Sequence, residues 1–381
     1  MKQLIVLLWV LVFAAYGYEP GAFAASRYTT DLTDVCPNPL IIQKDWLMQA
    51  EHGGLVQLIG AAGTASQGRY SGPLGSTGIE LIILEGGRGL GLGDGESPLA
   101  SLHIGNSRAG VIPHLAMVTT DDAIVFSELF PSVAVVAPLA RNPQVLIYDP
   151  ETYPEGFQSR EDLIAFAESG VGKIYLTTTS SGFGRFLASF LPPEVFVEGY
   201  GGDLENFVAF GGSWLNQGFV TSEVWELEHG RNWGRPVGYL FISDLGYDVY
   251  PGPLAVAAGR LEELAPCLER LVPLVQQAQL DYANDPTEVN DVIVAFNEAG
   301  YGAGFWRTPR GQVAEAHGIM RQSGVIGNGH NATLGDFDLM RVEEIIEIFK
   351  PFLDERARAD LTAADLVTNR FIDPAIGVPL E

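Results

Sequence analysis

The stretch Leu40-Ile41-Ile42-Gln43-Lys44-Asp45-Trp46-Leu47-Met48-Gln49-Ala50-Glu51-His52-Gly53-Gly54-Leu55 starts as a short apolar run and turns polar at Lys44-Asp45-Trp46. That is the pattern of a buried strand whose carboxyl end, at Asp45-Trp46, reaches the surface of a sheet. A helix is predicted next, over about residues 51–59. Turn signals follow in Gly68-Arg69-Tyr70-Ser71-Gly72-Pro73, and a second apolar strand over residues 79–84. Strand, helix and strand with continuous apolar runs predict an α/β fold whose parallel sheet is covered on both faces.

Outward from this unit the pattern continues. A strand near residue 116 breaks into Thr119-Thr120-Asp121-Asp122, a helix-capping sequence. Strands are predicted at 133–138 and 144–148, joined through Arg141-Asn142-Pro143, where the chain crosses to a second α/β unit. That unit reads as a helix from Ser159, a strand at 173–177 and a polar loop at 178–182. It goes on with a helix at 183–190, a strand at 194–200, a helix at 203–210 and a strand at 219–223. Residues 237–242 lead back. From Arg260 the spacing of Leu261, Leu264, Leu268, Leu271, Leu274 and Val275 is helical, and a last helix is predicted at 341–352. The expected architecture has two doubly wound sheets joined by a hinge of two crossings. Residues 25–138 and 241–381 form the first lobe, and 139–240 the second. Ligands of open α/β sheets sit outside the carboxyl ends of strands, so two facing sheets define one cleft.

The ends and the composition narrow the function classes. Residues 1–24 have a short positive start, an apolar run from Leu4 to Ala15 and a small-residue Ala22-Phe23-Ala24 site: the layout of a cleaved secretory signal. The chain carries 47 acidic against 22 basic residues, a formal charge of −25, which argues against nucleic acid as partner. Cys36 and Cys267 are the only cysteines. In an oxidising compartment an even pair reads as a disulfide, with two buried free thiols as the alternative. No nucleophile elbow, His-Glu-x-x-His run or calcium loop is found, so no catalytic residue, metal or cofactor is expected.

The segment from Gln43 to Leu55, with Asp45-Trp46 followed by His52, Gly53 and Leu55, resembles the start of the thiamine-pyrimidine-precursor-binding family. That family belongs to a wider set of importer binding proteins with nitrate-, sulfonate- and taurine-type members. The tail segment Leu264 to Pro273 looks like an exported branch of the same set. The resemblance implies a type II periplasmic-binding-protein fold. It also implies a periplasmic or other extracytoplasmic location, capture of a small, pyrimidine-like ligand, and delivery to an ABC transporter permease by a monomer. Residues 47–51 depart from the family's Pro-Asn between Trp and His. A ligand-binding sensor subunit is the alternative within the fold. A pyrimidine-precursor-synthase-like enzyme is disfavoured, because its cysteine-rich motif is missing.

Candidate ligand-binding residues cluster at the predicted strand tips. Trp46 could stack on a planar or cationic ligand, or be a core indole. Asp45, Glu51 and His52 lie beside it. Thr120 and Asp121 occupy the next tip, with capping as the competing role. Ser180, Ser181 and Phe183 form the corresponding turn of the second lobe. Glu223 and Trp225 follow a predicted strand, and alternation places both on one side. Tyr247 and Tyr250 lie near the return crossing. Together these residues predict an aromatic and acidic pocket.

Overall fold

The computed structural model describes residues 28–87, 96–230, 232–301 and 308–379. The predicted signal segment and most of the glycine-rich 86–95 loop lie outside the described residues. Strands β1 (Leu40–Gln43), β2 (Thr64–Ser66), β3 (Arg69–Pro73), β4 (Glu80–Leu84), β5 (Leu115–Met117), β6 (Ser132–Val136) and β12 (Leu254–Ala257) form one seven-stranded sheet, ordered β2-β3-β4-β1-β5-β12-β6. Strands β7 (Gln144–Tyr148), β8 (Ile174–Leu176), β9 (Phe196–Glu198), β10 (Leu215–Phe219) and β11 (Gly238–Phe241) form a five-stranded sheet, ordered β11-β7-β10-β8-β9. The chain therefore builds most of one sheet, crosses to build the other, and returns for β12.

Helices fill the connections: α1 (Gly53–Gln57), α2 (Pro98–Ile104), α3 (Thr120–Val125), α4 (Arg160–Ser169), α5 (Gly182–Ala188), α6 (Glu205–Ala209) and α7 (Glu223–His229). After β12 come the helices α8 (Leu261–Asn284), α9 (Thr287–Phe296), α10 (Arg310–Gln322), α11 (Leu339–Phe349) and the short α12 (Ala363–Leu366). The long α8 buries Leu264, Leu268, Leu271, Val275, Ala278 and Tyr282 on one face, as the leucine spacing predicts. Its Pro266 is exposed and Pro273 half-buried, so the missing amide donors fall away from the packed stripe.

Both sheets are mixed. β1 pairs in parallel with β4 and β5, and β10 and β9 each pair in parallel with β8. β3, β7 and β12 run antiparallel to their neighbours. Two details correct the sequence reading. Residues 68–73, read as a turn, are the second arm of a β2–β3 hairpin whose tip is Gly68 at φ 77°. The strand placed at 219–223 lies earlier, at Leu215–Phe219, and Glu223 opens helix α7. The true strand contains Asn216 and Gln217, buried with their amides bonded to backbone groups, so no apolar run announces it.

Cys36 and Cys267 form a disulfide with Cα atoms 4.6 Å apart, tying the N-terminal arm to α8. Arg270, one turn on, donates to the Asp31 carbonyl (2.7 Å) and the Asp34 carboxylate (2.9 Å) on the same arm. The bond closes a span of 231 residues. Its removal is expected to lower stability by about 2–5 kcal/mol. Reductant should lower the melting temperature of the parent protein and leave a Cys36→Ser/Cys267→Ser variant unmoved. Equal melting of parent and variant without reductant would show that the bond adds nothing.

Candidate functional site

The site is built from the carboxyl end of β1. Lys44 and Glu85 are both completely buried, with Nζ 2.8 Å from Oε1. Burial pushes the Lys44 ammonium below its ordinary range, and the Glu85 carboxylate pulls it back. The second Glu85 oxygen accepts the Met48 N–H at 2.9 Å. Gln43 donates its amide to the Lys44 and Glu85 carbonyls, each at 2.8 Å, and accepts from Asn106 at 2.7 Å. The loop after β1 is thus fixed from beneath, and Asp45 and Trp46 are left half-buried at the strand's carboxyl end.

Asp45 Oδ1 accepts from His52 Nε2 at 2.8 Å. His52 Nδ1 accepts the Gln49 N–H at 3.1 Å, which places the ring proton on Nε2, facing the carboxylate. Burial alone would raise the Asp45 carboxyl, but the His52 bond and the neighbouring Lys44 charge hold it below the usual range. The glycines after His52 have a packing reason. A Cβ on Gly53 would lie 2.2 Å from the Tyr282 ring, and one on Gly54 1.8 Å from Gln279 Oε1, so only glycines let α1 meet α8.

Contacts across the gap between strand tips join the two sheet units. The Thr221 hydroxyl, beyond β10, donates to Glu51 Oε1. Gln312 of α10 donates to the Ser222 carbonyl at 3.4 Å. Asp121, at the start of α3, accepts from the Tyr247 hydroxyl at 2.5 Å and abuts Gly182, where a Cβ would lie 2.1 Å from Oδ2. At each contact one acceptor remains: Glu51 Oε2, Gln312 Oε1 and Asp121 Oδ1 are buried with no hydrogen-bond donor among the described residues. Burial raises the Glu51 carboxyl, with the Thr221 bond opposing it. Asp122, beside Asp121, is pushed up to about 7 by burial and by its neighbour's charge.

The other predicted residues divide by environment. Thr120 is buried and its hydroxyl accepts the Tyr250 N–H at 3.2 Å. Ser181 caps α5 by accepting the Gly184 N–H at 3.1 Å, and Ser180 is exposed, with its hydroxyl 3.0 Å from that of Thr178. Phe183 and Tyr247 are buried together with ring centroids 6.3 Å apart. Glu223 is buried, accepting from Tyr200 and from the Phe219 N–H (2.9 Å), and burial raises its carboxyl. The shared side predicted for Glu223 and Trp225 is corrected, because two helical residues two positions apart point to different faces. Glu223 lines a cavity of about 390 Å³ with Ser222, Glu226, Asp203, Trp233 and Gln312. Trp46 and Trp225 are not among its lining residues.

Sequence reasoning missed the two arginines that tie the crossings together. Arg341 of α11 donates to the Ala140 carbonyl (2.6 Å) of the first crossing and to the Asp248 (2.6 Å) and Val249 (3.1 Å) carbonyls of the second. Its guanidinium lies 3.8 Å from the Tyr250 ring centroid. Arg141 donates to Ser243 (2.9 Å), Asp244 (2.5 Å) and the Ser323 carbonyl (3.1 Å). A charged residue beside a crossing was the available signal, and only for Arg141.

Two outcomes follow from this geometry. Lys44→Met leaves the Glu85 carboxylate buried without its partner and should destabilise by about 3–5 kcal/mol, read by urea unfolding. Adding Glu85→Leu should recover most of that loss, and no recovery would mean the charge pair is not the cause. Asp122 holds its proton in the folded state between 3.8 and about 7, where the unfolded chain has released it. Its stabilising contribution is therefore complete below 3.8 and is lost as the pH rises toward about 7. Asp122→Asn should flatten that decline: little change in melting temperature at about pH 4, and a higher one than the parent at about pH 8. A difference independent of pH would contradict it.

No family model matches the chain, and no curated protein sequence matches it. Solved structures do. The periplasmic aliphatic sulphonate binding protein SsuA from Escherichia coli is similar at a TM-score of 0.55 and 12% identity, over 91% of this chain and 96% of that one. The periplasmic nitrate-binding protein NrtA from Synechocystis PCC 6803 is similar at 0.53 and 11%, over 88% of each chain. The alkanesulfonate-binding protein SsuA from Xanthomonas axonopodis pv. citri, bound to MOPS, is similar at 0.51 and 12%, over 87% of this chain and 99% of that one. At these identities the likeness establishes architecture: the chain has the two-lobed α/β fold of the periplasmic solute-binding proteins.

Proposed function

We propose that the protein is the extracytoplasmic solute-binding component of an ABC importer. It closes on a small ligand between its two lobes, hands it to a permease, and catalyses no reaction. The observation that carries this reading is the set of acceptors left over at the seam. Glu51 Oε2, Asp121 Oδ1 and Gln312 Oε1 each sit beside a contact between the two sheet units, buried and without a donor among the described residues. A buried acceptor left unmatched costs about 1–3 kcal/mol, more when charged. A ligand that brings N–H groups to the seam removes that penalty only when both lobes are in place, so binding and closure support each other. The one buried cation described beside these carboxylates, Lys44, is neutralised by Glu85.

The ligand class follows from the same chemistry. Acceptors and carboxylates favour an amino-substituted or cationic group, and the half-buried Trp46 offers a face for a planar ring. An aminopyrimidine or another amino-heteroaromatic meets both demands. The sulfonates and nitrate in the names of the similar structures are anions, and the described seam offers them no unpaired cation. The crossings carry the proposed hinge: Arg341 holds both by their carbonyls, so the lobes rotate about a fixed pair of chain segments.

The test is a thermal-shift panel of aminopyrimidines, amidines and primary amines against alkanesulfonates and nitrate. A true ligand at 100 times its Kd stabilises by about 2.7 kcal/mol. Donor-bearing heteroaromatics should raise the melting temperature. Trp46→Ala and Glu51→Gln should each reduce the shift without lowering the melting temperature of the unliganded protein by more than a few degrees. Stabilisation by sulfonates or nitrate alone would overturn the ligand class, and an unchanged affinity of Trp46→Ala would remove Trp46 from the site.

A further inference from the structure

On the rim where α7 meets α10, outside the acidic seam, three side chains from two elements converge. His229 Nε2 lies 4.0 Å from Glu315 Oε2, and together with Glu228 the three offer one donor atom each within 4.8 Å of one another. His229 and Glu228 belong to α7, which follows β10 of the five-stranded sheet. Glu315 belongs to α10 of the C-terminal helices.

The ring of His229 is already oriented as a ligand. Its Nδ1 lies 3.2 Å from the Trp225 carbonyl, one turn earlier on α7. A carbonyl only accepts, so Nδ1 carries a proton, and Nε2 is the nitrogen turned toward Glu315. The Trp225 indole stacks on the imidazole, centroids 4.8 Å apart and planes 17° apart, which limits its rotation. The same indole lies toward α10: a Cβ on Gly311 would be 3.6 Å from its Cζ2. Glu228 is oriented too, since one carboxylate oxygen accepts the Val237 N–H at 3.1 Å and leaves the other available. Trp225 thus packs on His229 and limits its rotation.

We infer that His229, Glu228 and Glu315 form a zinc-class divalent metal site that staples α7 to α10 across the two lobes. One imidazole and two carboxylates are a donor set for zinc, with water completing a tetrahedral shell, whereas calcium and magnesium take oxygen donors. Donors around tetrahedral zinc stand about 3.3 Å apart, given bonds of about 2.0–2.1 Å. The observed 4.0 Å closes by rotation of Glu315, whose side chain is 38% exposed. Because the ligands come from both sides of the rim, the metal binds fully only when α7 and α10 are together, and it favours the arrangement described here. This site does not depend on the solute-binding reading.

The experiment is calorimetric titration of zinc chloride into untagged full-length protein, with His229→Ala, Glu315→Gln and, as control, His330→Ala. His330 is an exposed histidine paired with Asp336 at 3.6 Å, away from α7 and α10. The expected result is one saturable zinc site, weakened at least about tenfold by either of the first two changes and unaltered in the control. Zinc should also raise the parent's melting temperature and not that of His229→Ala. His229 is exposed and Glu315 half-buried on the surface, and an unchanged melting temperature without metal checks that the variants fold. Absence of saturable binding, or equal binding by His229→Ala and the parent, overturns the site.

Discussion

Lys44 and Glu85 face each other with no exposure to solvent, and an ion pair in such a place is held only if its remaining hydrogen-bonding capacity is met. Here it is met by the backbone: Met48 donates to the carboxylate, and Gln43 ties the carbonyls of both residues. The pair therefore constrains a loop more than it adds net stability. Because the loop after β1 is fixed at Lys44 and Met48, Asp45 and Trp46 between them are held at the carboxyl end of β1. Asp45 then locks His52, and the glycines behind His52 bring α1 against α8. A single polar network under β1 thus sets the strand tip, the first turn of helix and the packing of the longest helix.

The second constraint is the way the lobes are joined. Two crossings would leave a loose hinge if their backbones were independent. Arg341 binds carbonyls of both, and Arg141 reaches from the first crossing to the second and to the loop after α10. The guanidinium plane suits this task, since several donors lie in one rigid fork. The seam itself is acidic: Glu51 meets the Thr221 hydroxyl and Asp121 abuts Gly182 of the other sheet unit, with Asp122 beside it. The excess of carboxylates in the composition is therefore partly concentrated at the seam.

Much of the architecture was legible because it rests on local periodicity. The strand at 40–43, the strand at 144–148, the leucine spacing of α8 and the helix from about 341 each reflect burial of one face or of a short run. The β10 strand was misplaced because its buried Asn216 and Gln217 look polar in one dimension, and Gln217 meets its partner, Thr177, only through the fold. The β2–β3 hairpin was hidden behind Gly68 and Gly72, which read as loop. Around the candidate site, the sequence pattern pointed to Asp45 and Trp46 just after β1 and to Asp121 at the start of α3. Gln312, Arg341 and the Lys44–Glu85 pair were not found, because each acquires its meaning from a partner at least 41 positions away.

The chain's order alone determined that it would build one α/β unit, leave for a second, and return to finish the first under a helical tail, since apolar spacing and breaker residues act over a few positions. It also placed two cysteines, Cys36 and Cys267, in one chain. Tertiary structure decided which polar atoms are paired and which are left over, because hydrogen bonds and ion pairs depend on distances of about 3 Å that no one-dimensional pattern encodes. That is why the carboxylate-rich seam, the arginine ties at the crossings and the His229 cluster become visible only once the helices are packed.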